Sequence, residues 1–323
     1  MKRRDFLKAA GTGALVASSA TTVSARENLP VPEDAVGMLY DATLCIGCRA
    51  CVVKCKEING APPETVEGEE HWDMAQELSA DTLTIIQAFN ADTGPDIPNL
   101  ADGTFSFSKR QCMHCVDPGC VTVCPVSAMQ KHPTTGIVSH DPDVCIGCRY
   151  CVLACPYNVP KYEYDETFGQ IQKCQLCNQP GVERIDNGQI TGCTEVCPTG
   201  ANIFGPRKEL LAEAKRRAEL KEGDTYTYPL QSIDSTYRYE TQVKADYQQH
   251  IFGEKEGGGT QVLVVAGTPI TNLGLPELPE RSYAANSETV QHTIYGGMLA
   301  PAGLLAGLLY LARRNTKGDD KDE

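Results

Sequence analysis

The chain has 323 residues, enough for one or two domains with an ordinary buried core. Its formal charge is −13, with one Trp and no long basic run, which argues against nucleic acid as a partner. Sixteen cysteines stand out, and all of them lie between Cys45 and Cys197.

Residues 1–25 read as an export leader. Arg3-Arg4-Asp5-Phe6-Leu7-Lys8 is followed by a mildly apolar stretch from Ala9 to Ala20, and Val23-Ser24-Ala25 offers a small-residue cut site. The arginine pair followed by Phe-Leu-Lys predicts the twin-arginine route, which carries folded proteins with their cofactors already inserted. An ordinary secretory leader, or a first helix of the fold, would carry fewer of these features together.

The cysteines fall into four groups of four. Group I is Cys45, Cys48, Cys51 and Cys55, with spacings of two, two and three residues. Group II is Cys112, Cys115, Cys120 and Cys124, followed by Pro125. Group III is Cys145, Cys148, Cys151 and Cys155, followed by Pro156. Group IV is Cys174, Cys177, Cys193 and Cys197, followed by Pro198.

Group III is the bacterial ferredoxin run, and group I is the same run with Lys56 in place of the proline. Three thiolates within seven residues can wrap three corners of a cuboidal cluster, given tight bends at small residues such as Gly47 and Gly147. The fourth cysteine departs with the outgoing chain, and in two-cluster ferredoxins it ligates the other cluster. Groups therefore work in pairs, but spacing leaves two pairings open: nested (II with III, I with IV), or sequential (I with II, III with IV).

Disulfides and zinc are the competing uses. Disulfide scaffolds are usually short, and a repeated C-x2-C-x2-C pairs poorly within itself. A third cysteine only two residues beyond a C-x2-C pair is not zinc-knuckle spacing. His114, beside Met113 in the first pair of group II, invites comparison with a Rieske ligand. Every cluster already has four thiolates, so His114 reads as a packing or hydrogen-bonding residue that tunes potential.

Between and beyond the groups, residues 56–108 form a cysteine-free insertion in which Asp81–Phe89 predicts a strand. Arg207–Lys221 predicts a helix with Leu210, Leu211, Ala214 and Ala218 on one side. Gln261–Ala266 predicts a buried strand, and Gly257-Gly258-Gly259 before it a plain turn rather than a phosphate cradle. Residues 268–292, with Pro269, Pro276 and Pro279, read as an extended linker. Ile294–Ala312 is an uncharged apolar run of 19 residues. As a helix it would span roughly 28 Å, close to the hydrocarbon thickness of a bilayer. Arg313, Arg314 and Lys317 follow it and place the tail in the cytoplasm. Gly303 and Gly307 give this helix a small-residue surface suited to an integral-membrane partner. The sequence contains no HExxH, GxSxG or Walker motif, so no catalytic residue is expected.

Several segments resemble a known family. They are Cys112-Met-His-Cys, Cys120-x3-Cys124-Pro-Val-Ser-Ala, and Cys145-x2-Cys148-Arg-Tyr-Cys151 leading to Ala154-Cys155-Pro-Tyr-Asn-Val-Pro-Lys161. They resemble the four-cluster electron-transfer subunits of bacterial membrane oxidoreductases, such as formate dehydrogenase, dimethyl sulfoxide reductase and polysulfide reductase. The Arg-Arg leader, Gly37–Asp41, Glu254–Thr260 and the C-terminal helix ending in Arg-Arg-Asn-Thr-Lys317 are most similar to the ferredoxin-type subunits of uptake [NiFe] hydrogenases of the hydrogenase-2 class.

The resemblance covers essentially the whole chain and implies a fold, a ligand set and partners. The fold class is α+β: two ferredoxin-like double-cluster units with insertions, plus one C-terminal transmembrane helix. The pairing implied is the nested one, with four [4Fe–4S] clusters. Cluster one takes Cys45, Cys48, Cys51 and Cys197; cluster two Cys55, Cys174, Cys177 and Cys193. Cluster three takes Cys112, Cys115, Cys120 and Cys155; cluster four Cys124, Cys145, Cys148 and Cys151. The domain map is leader 1–25, four-cluster domain 26–206, extension and linker 207–292, transmembrane helix 293–313 and cytoplasmic tail 314–323. The expected partners are the small and large subunits of a [NiFe] hydrogenase and an integral-membrane subunit that reduces quinone. The expected place is the periplasmic face of the cytoplasmic membrane. The alternative is the electron-transfer subunit of a periplasmic formate dehydrogenase or a related molybdenum oxidoreductase, for which a leader of its own is not expected.

Overall fold

The computed structural model describes residues 26–63, 77–90 and 105–316. The leader lies outside the described residues, as do parts of the insertion and the end of the tail. Contacts divide the chain into two units, Asn28–Tyr283 and a second made of the N-terminal residues to Glu27 with Ala284 onward.

In chain order the first unit contains β1 (Val36–Asp41), α1 (Ala50–Asn59), β2 (Ile85–Asn90), β3 (Phe105–Arg110), α2 (Gly119–Thr122), β4 (Met129–Lys131), β5 (Val138–His140) and α3 (Tyr150–Ala154). Then come β6 (Lys161–Tyr162), β7 (Ile171–Gln172), α4 (Gly192–Glu195), β8 (Asn202–Pro206), α5 (Arg207–Ala218), β9 (Thr225–Pro229), β10 (Arg238–Gln242) and β11 (Val262–Val265). Helix α6 (Tyr283–Thr316) follows. The class is mixed helix and strand, as expected.

The largest sheet has three strands in the order β11-β1-β8. β1 runs parallel to β11, with Met38 opposite Val262, and antiparallel to β8, with Met38 opposite Phe204. Its two faces serve two cores. Met38 and Tyr40 join the core that contains Cys112 and Cys193, while Leu39 packs with Ile203, Leu263, Leu210 and Ala214 beneath α5. This is the period-2 alternation of a strand buried on both faces. Short antiparallel pairs, β2-β3, β4-β5, β6-β7 and β9-β10, surround it.

Element boundaries differ from the expectation in three places. The strand expected from Asp81 begins at Ile85, because Ser79 and Thr82 exchange backbone hydrogen bonds in a turn just before it. The helix expected to reach Lys221 ends at Ala218: Glu219 and Leu220 close on Arg216 and Arg217 in tighter turns, and the Asp224 carboxylate accepts from Lys221 N–H. The stretch 268–292, expected to be extended, contains a 3-10 turn at Ile270–Leu273 and becomes helical at Tyr283. No proline follows Pro279 until Pro301, so the polar residues 283–292 can wind into the same helix as the apolar run. The glycine run is the expected plain turn, with positive φ at Gly257, Gly258 and Gly259.

The second unit contains α6, with Pro301 inside it. Tyr283–Arg314 is long and apolar enough to cross a membrane, and none of its most apolar window is buried.

Candidate iron–sulfur centres

All sixteen cysteines lie among the described residues and none forms a disulfide. The two C-x2-C-x2-C runs share a backbone. Gly47 and Arg49 have φ of 70° and 58°; Gly147 and Arg149 have 65° and 62°. Glycine is required at Gly47, where a Cβ would meet the Phe107 ring at 2.4 Å. The left-handed turns aim backbone N–H groups inward, and Gly47 N–H points at the Cys45 sulfur.

Each run then enters a helix. α1 starts after Arg49 and carries Cys51 and Cys55; α3 starts after Arg149, carries Cys151 and ends at Cys155, which is extended. Groups II and IV deliver their cysteines differently. Cys120 lies on α2 and Cys193 on α4, with Cys124 and Cys197 just past the two C-termini.

Helix α1 packs on α4, and α2 packs on α3. A glycine permits each approach. A Cβ on Gly192 would stand 2.1 Å from Ile58 Cδ1, and one on Gly119 would stand 3.2 Å from the Ala154 carbonyl oxygen. Group I is thereby packed on group IV, and group II on group III. The glycine before each cysteine, in Gly119-Cys120-x3-Cys124-Pro125 and Gly192-Cys193-x3-Cys197-Pro198, is a repeated signal that cysteine spacing alone overlooks.

One cavity is enclosed by Cys45, Cys48, Cys51 and Cys197, with Lys109 and Asn202 in its wall. A second is enclosed by Cys124, Cys145, Cys148 and Cys151, with His140 in its wall. The other eight cysteines are also gathered. Cys174, Cys193 and Cys177 are the charged neighbours that act most on Cys55; Cys120, Cys155 and Cys112 are those that act most on Cys115.

An iron–sulfur cluster needs thiolate ligands and hydrogen-bond donors around its sulfurs. Burial pushes the thiols up, to about 11 at Cys45 and about 12 at Cys51, Cys120 and Cys174, and the crowding of like groups adds to it. Thiols raised this way need a bound cationic centre to stay deprotonated. The walls also contain buried polar atoms without partners: the amide nitrogen of Asn202 beside the first cavity and His140 Nε2 beside the second. His114 Nδ1 accepts Val138 N–H at 3.0 Å, and its Nε2 is likewise buried and unsatisfied. Such atoms fit a group whose sulfurs accept hydrogen bonds. The residues present therefore fit clusters.

Sequence reasoning missed Asn202, His140 and Lys109. Asn202 and His140 each stand five residues from a cysteine of the cavity they line but in no recognisable motif, and Lys109 is brought by β3 to cysteines remote from it in sequence.

Residues 104–207 match the model of a 4Fe-4S dicluster domain family. The whole chain is 54% identical over 324 residues to the hydrogenase-2 operon protein HybA of Escherichia coli O157:H7, covering 98% of it. It is 28% identical over 331 residues to the iron-sulfur subunit of the nitrate-inducible formate dehydrogenase of Escherichia coli (strain K12), again with 98% of that protein covered. It is 34% identical over 228 residues to the protein NrfC of the same strain, an alignment spanning 71% of this chain and 89% of NrfC. Cysteine geometry suited to iron–sulfur clusters and full-length identity of this size agree, and the chain belongs to the family of the hydrogenase-2 operon protein HybA.

Proposed function

We propose that this chain is the non-catalytic electron-transfer subunit of a hydrogenase-2 complex. It takes electrons from a periplasmic [NiFe] hydrogenase and passes them to an integral-membrane subunit that reduces quinone. Four [4Fe–4S] clusters, bound in two ferredoxin-like double units, supply one-electron carriers of tunable potential. The ligand sets are the nested ones: Cys45, Cys48, Cys51 with Cys197; Cys55 with Cys174, Cys177, Cys193; Cys112, Cys115, Cys120 with Cys155; and Cys124 with Cys145, Cys148, Cys151.

The observation that carries this reading is the pair of cavities in which three cysteines of one group meet the last cysteine of another group. The packing of α1 on α4 and of α2 on α3 supports it. Neighbouring sulfurs also support a linear order. Cys51 acts with Cys193, Cys174 with Cys112, and Cys120 with Cys151, which link sets one to two, two to three and three to four. The two exposed cysteines, Cys48 and Cys148, belong to the two end sets. Each end thus offers a sulfur at the surface for exchange with a partner, and the fixed ligands between them require no motion.

Residues 1–25 serve as the twin-arginine leader in this reading, 26–206 as the cluster domain, 207–292 as extension and linker, 293–313 as the anchor and 314–323 as the cytoplasmic tail. The cluster domain then stands on the periplasmic face. The name of the 54%-identical relative supports the hydrogenase assignment.

The test is anaerobic purification of the full chain with its partners. The expected content is about 16 iron and 16 sulfide per chain, four of each per cluster, together with a nickel-containing catalytic subunit. About eight iron, or stoichiometric zinc, would refute the four-cluster assignment. A molybdenum-containing catalytic partner would move the chain to the formate dehydrogenase class.

A further inference from the structure

Lys109 on β3 is a charged residue buried away from the surface. It is 4% exposed, and its ammonium donates to the side-chain carbonyl of Gln111, a neutral acceptor. Among the described residues no carboxylate forms an ion pair with it. A buried ammonium satisfied only by an amide is costly, so a fixed negative charge must stand nearby in the assembled protein.

The geometry shows where. Lys109 forms part of the wall around Cys45, Cys48, Cys51 and Cys197. Gln111, which holds its ammonium, turns its amide nitrogen to Met38 Sδ at 4.0 Å. That same sulfur lies 3.6 Å from Cys193 Sγ, in the second set. Lys109 thus stands at the junction of the first and second sets. Burial pulls its pKa down, but Cys193, Cys51, Cys174 and Cys55 outweigh that and hold it above the ordinary lysine value.

We propose that Lys109 is the shared counter-charge of the first and second clusters, placed between them to raise both reduction potentials together. The inference rests on the four-cluster reading above. Uptake of one electron from a titrant such as dithionite adds one negative charge to a cluster. A cation fixed beside it in a medium of low dielectric stabilises the reduced form more than the oxidised form, so the potential rises. Because one charge serves two neighbours, both move in the same direction and the step between them stays small. Lys109 touches neither reacting partner; it acts through the clusters as a positioning charge.

The test is an anaerobic dithionite titration, followed by electron paramagnetic resonance, on the full-length protein in its complex. Wild type would be compared with Lys109→Met, Lys109→Arg and Gln111→Glu. Lys109→Met should lower two of the four midpoint potentials and leave the other two in place, with iron content unchanged. Lys109→Arg should restore all four to wild-type values. Gln111→Glu sets a carboxylate against the ammonium and should lower the same two. Four unmoved midpoints in Lys109→Met, or an equal shift of all four, would overturn the proposal. If Lys109→Met does not retain its iron, Gln111→Glu decides, and unmoved midpoints there overturn it. A wild-type protein with fewer than four clusters refutes instead the reading on which the proposal rests, and the proposal with it.

Discussion

Arg217 is among the largest side chains of the protein to be fully buried. Its guanidinium donates to Asp41 Oδ2 and to Glu213 Oε1, each at 2.9 Å, and lies 4.9 Å from the centre of the Tyr228 ring. Tyr247 OH adds a donor to Asp41 at 2.7 Å, and Thr43 N–H another at 2.9 Å. Burial pushes the Asp41 carboxyl up, against the pull of Arg217 and these donors, while the two carboxylates hold Arg217 protonated. The network ties β1, which leads directly into Cys45, to α5 and to the segment around Tyr247. Removing the cation alone leaves two carboxylates buried beside one another. Arg217→Met should therefore cost about 3–5 kcal/mol, the usual penalty for breaking a buried pair. It would be read as a fall in the denaturation midpoint of the holoprotein; a loss under about 1 kcal/mol would show that the pair is not integral to the fold. Sequence periodicity placed Leu210, Leu211, Ala214 and Ala218 on one side of α5; Leu210, Ala214 and Ala218 are buried, while Leu211 is only half-buried at the edge of that face. The periodicity gave no warning of Arg217, because its burial depends on Asp41 and Tyr247, which are remote in sequence. The cysteines were legible for the opposite reason: in groups I and III three of them fall within one seven-residue run, so the pattern is local.

Short helices do the positioning at the level of elements. α2 has four residues, yet Cys120 lies on it and Cys124 just beyond it, and these two sulfurs face different company. Cys124 lines the cavity of Cys145, Cys148 and Cys151, while burial and then Cys112 and Cys155 act on Cys120. Under the proposed sharing, Cys124→Ser should weaken or remove the cluster held by Cys145, Cys148 and Cys151. Cys120→Ser should affect the one held by Cys112, Cys115 and Cys155. Electron paramagnetic resonance of the reduced variants separates the two signals, and loss of the same single cluster in both would mean that each cysteine group serves its own cluster. Were serine to prevent assembly, Cys124→Asp keeps an anionic oxygen ligand and reads the same question. The ligand groups could be read from spacing, but spacing alone left the pairing open. The packing of helices that supports one pairing depends on Gly119 and Gly192, whose absent side chains admit a neighbouring helix. A residue that matters for what it lacks is hard to pick out among 29 glycines.

At the scale of the whole molecule, α6 changes character along its length. Ala284 and Ala285 are buried, and Arg26 pairs with Glu288 at 2.5 Å and donates its backbone N–H to Thr289. From Ile294 onward the described apolar side chains are mostly exposed, including Ile294, Met298, Leu304, Leu305 and Leu309. A run of that kind needs a cover, and its length and lack of charge match a bilayer's hydrocarbon core. The apolar run was plain in the sequence because hydropathy is a local sum. The polar first turns were not, since Asn286, Ser287, Glu288, Gln291 and His292 carry no apolar period and Pro276 and Pro279 precede them closely. The boundary between the two parts allows a clean cut. A chain ending at His292 keeps the Arg26 contacts and loses the whole apolar run. Expressed without its partners, it should leave the membrane pellet and appear in the soluble fraction, with iron content equal to that of the full chain. Retention in washed membranes would show that something other than α6 holds the protein there. A soluble product stripped of iron would show that the helix supports the cluster domain as well as anchoring it.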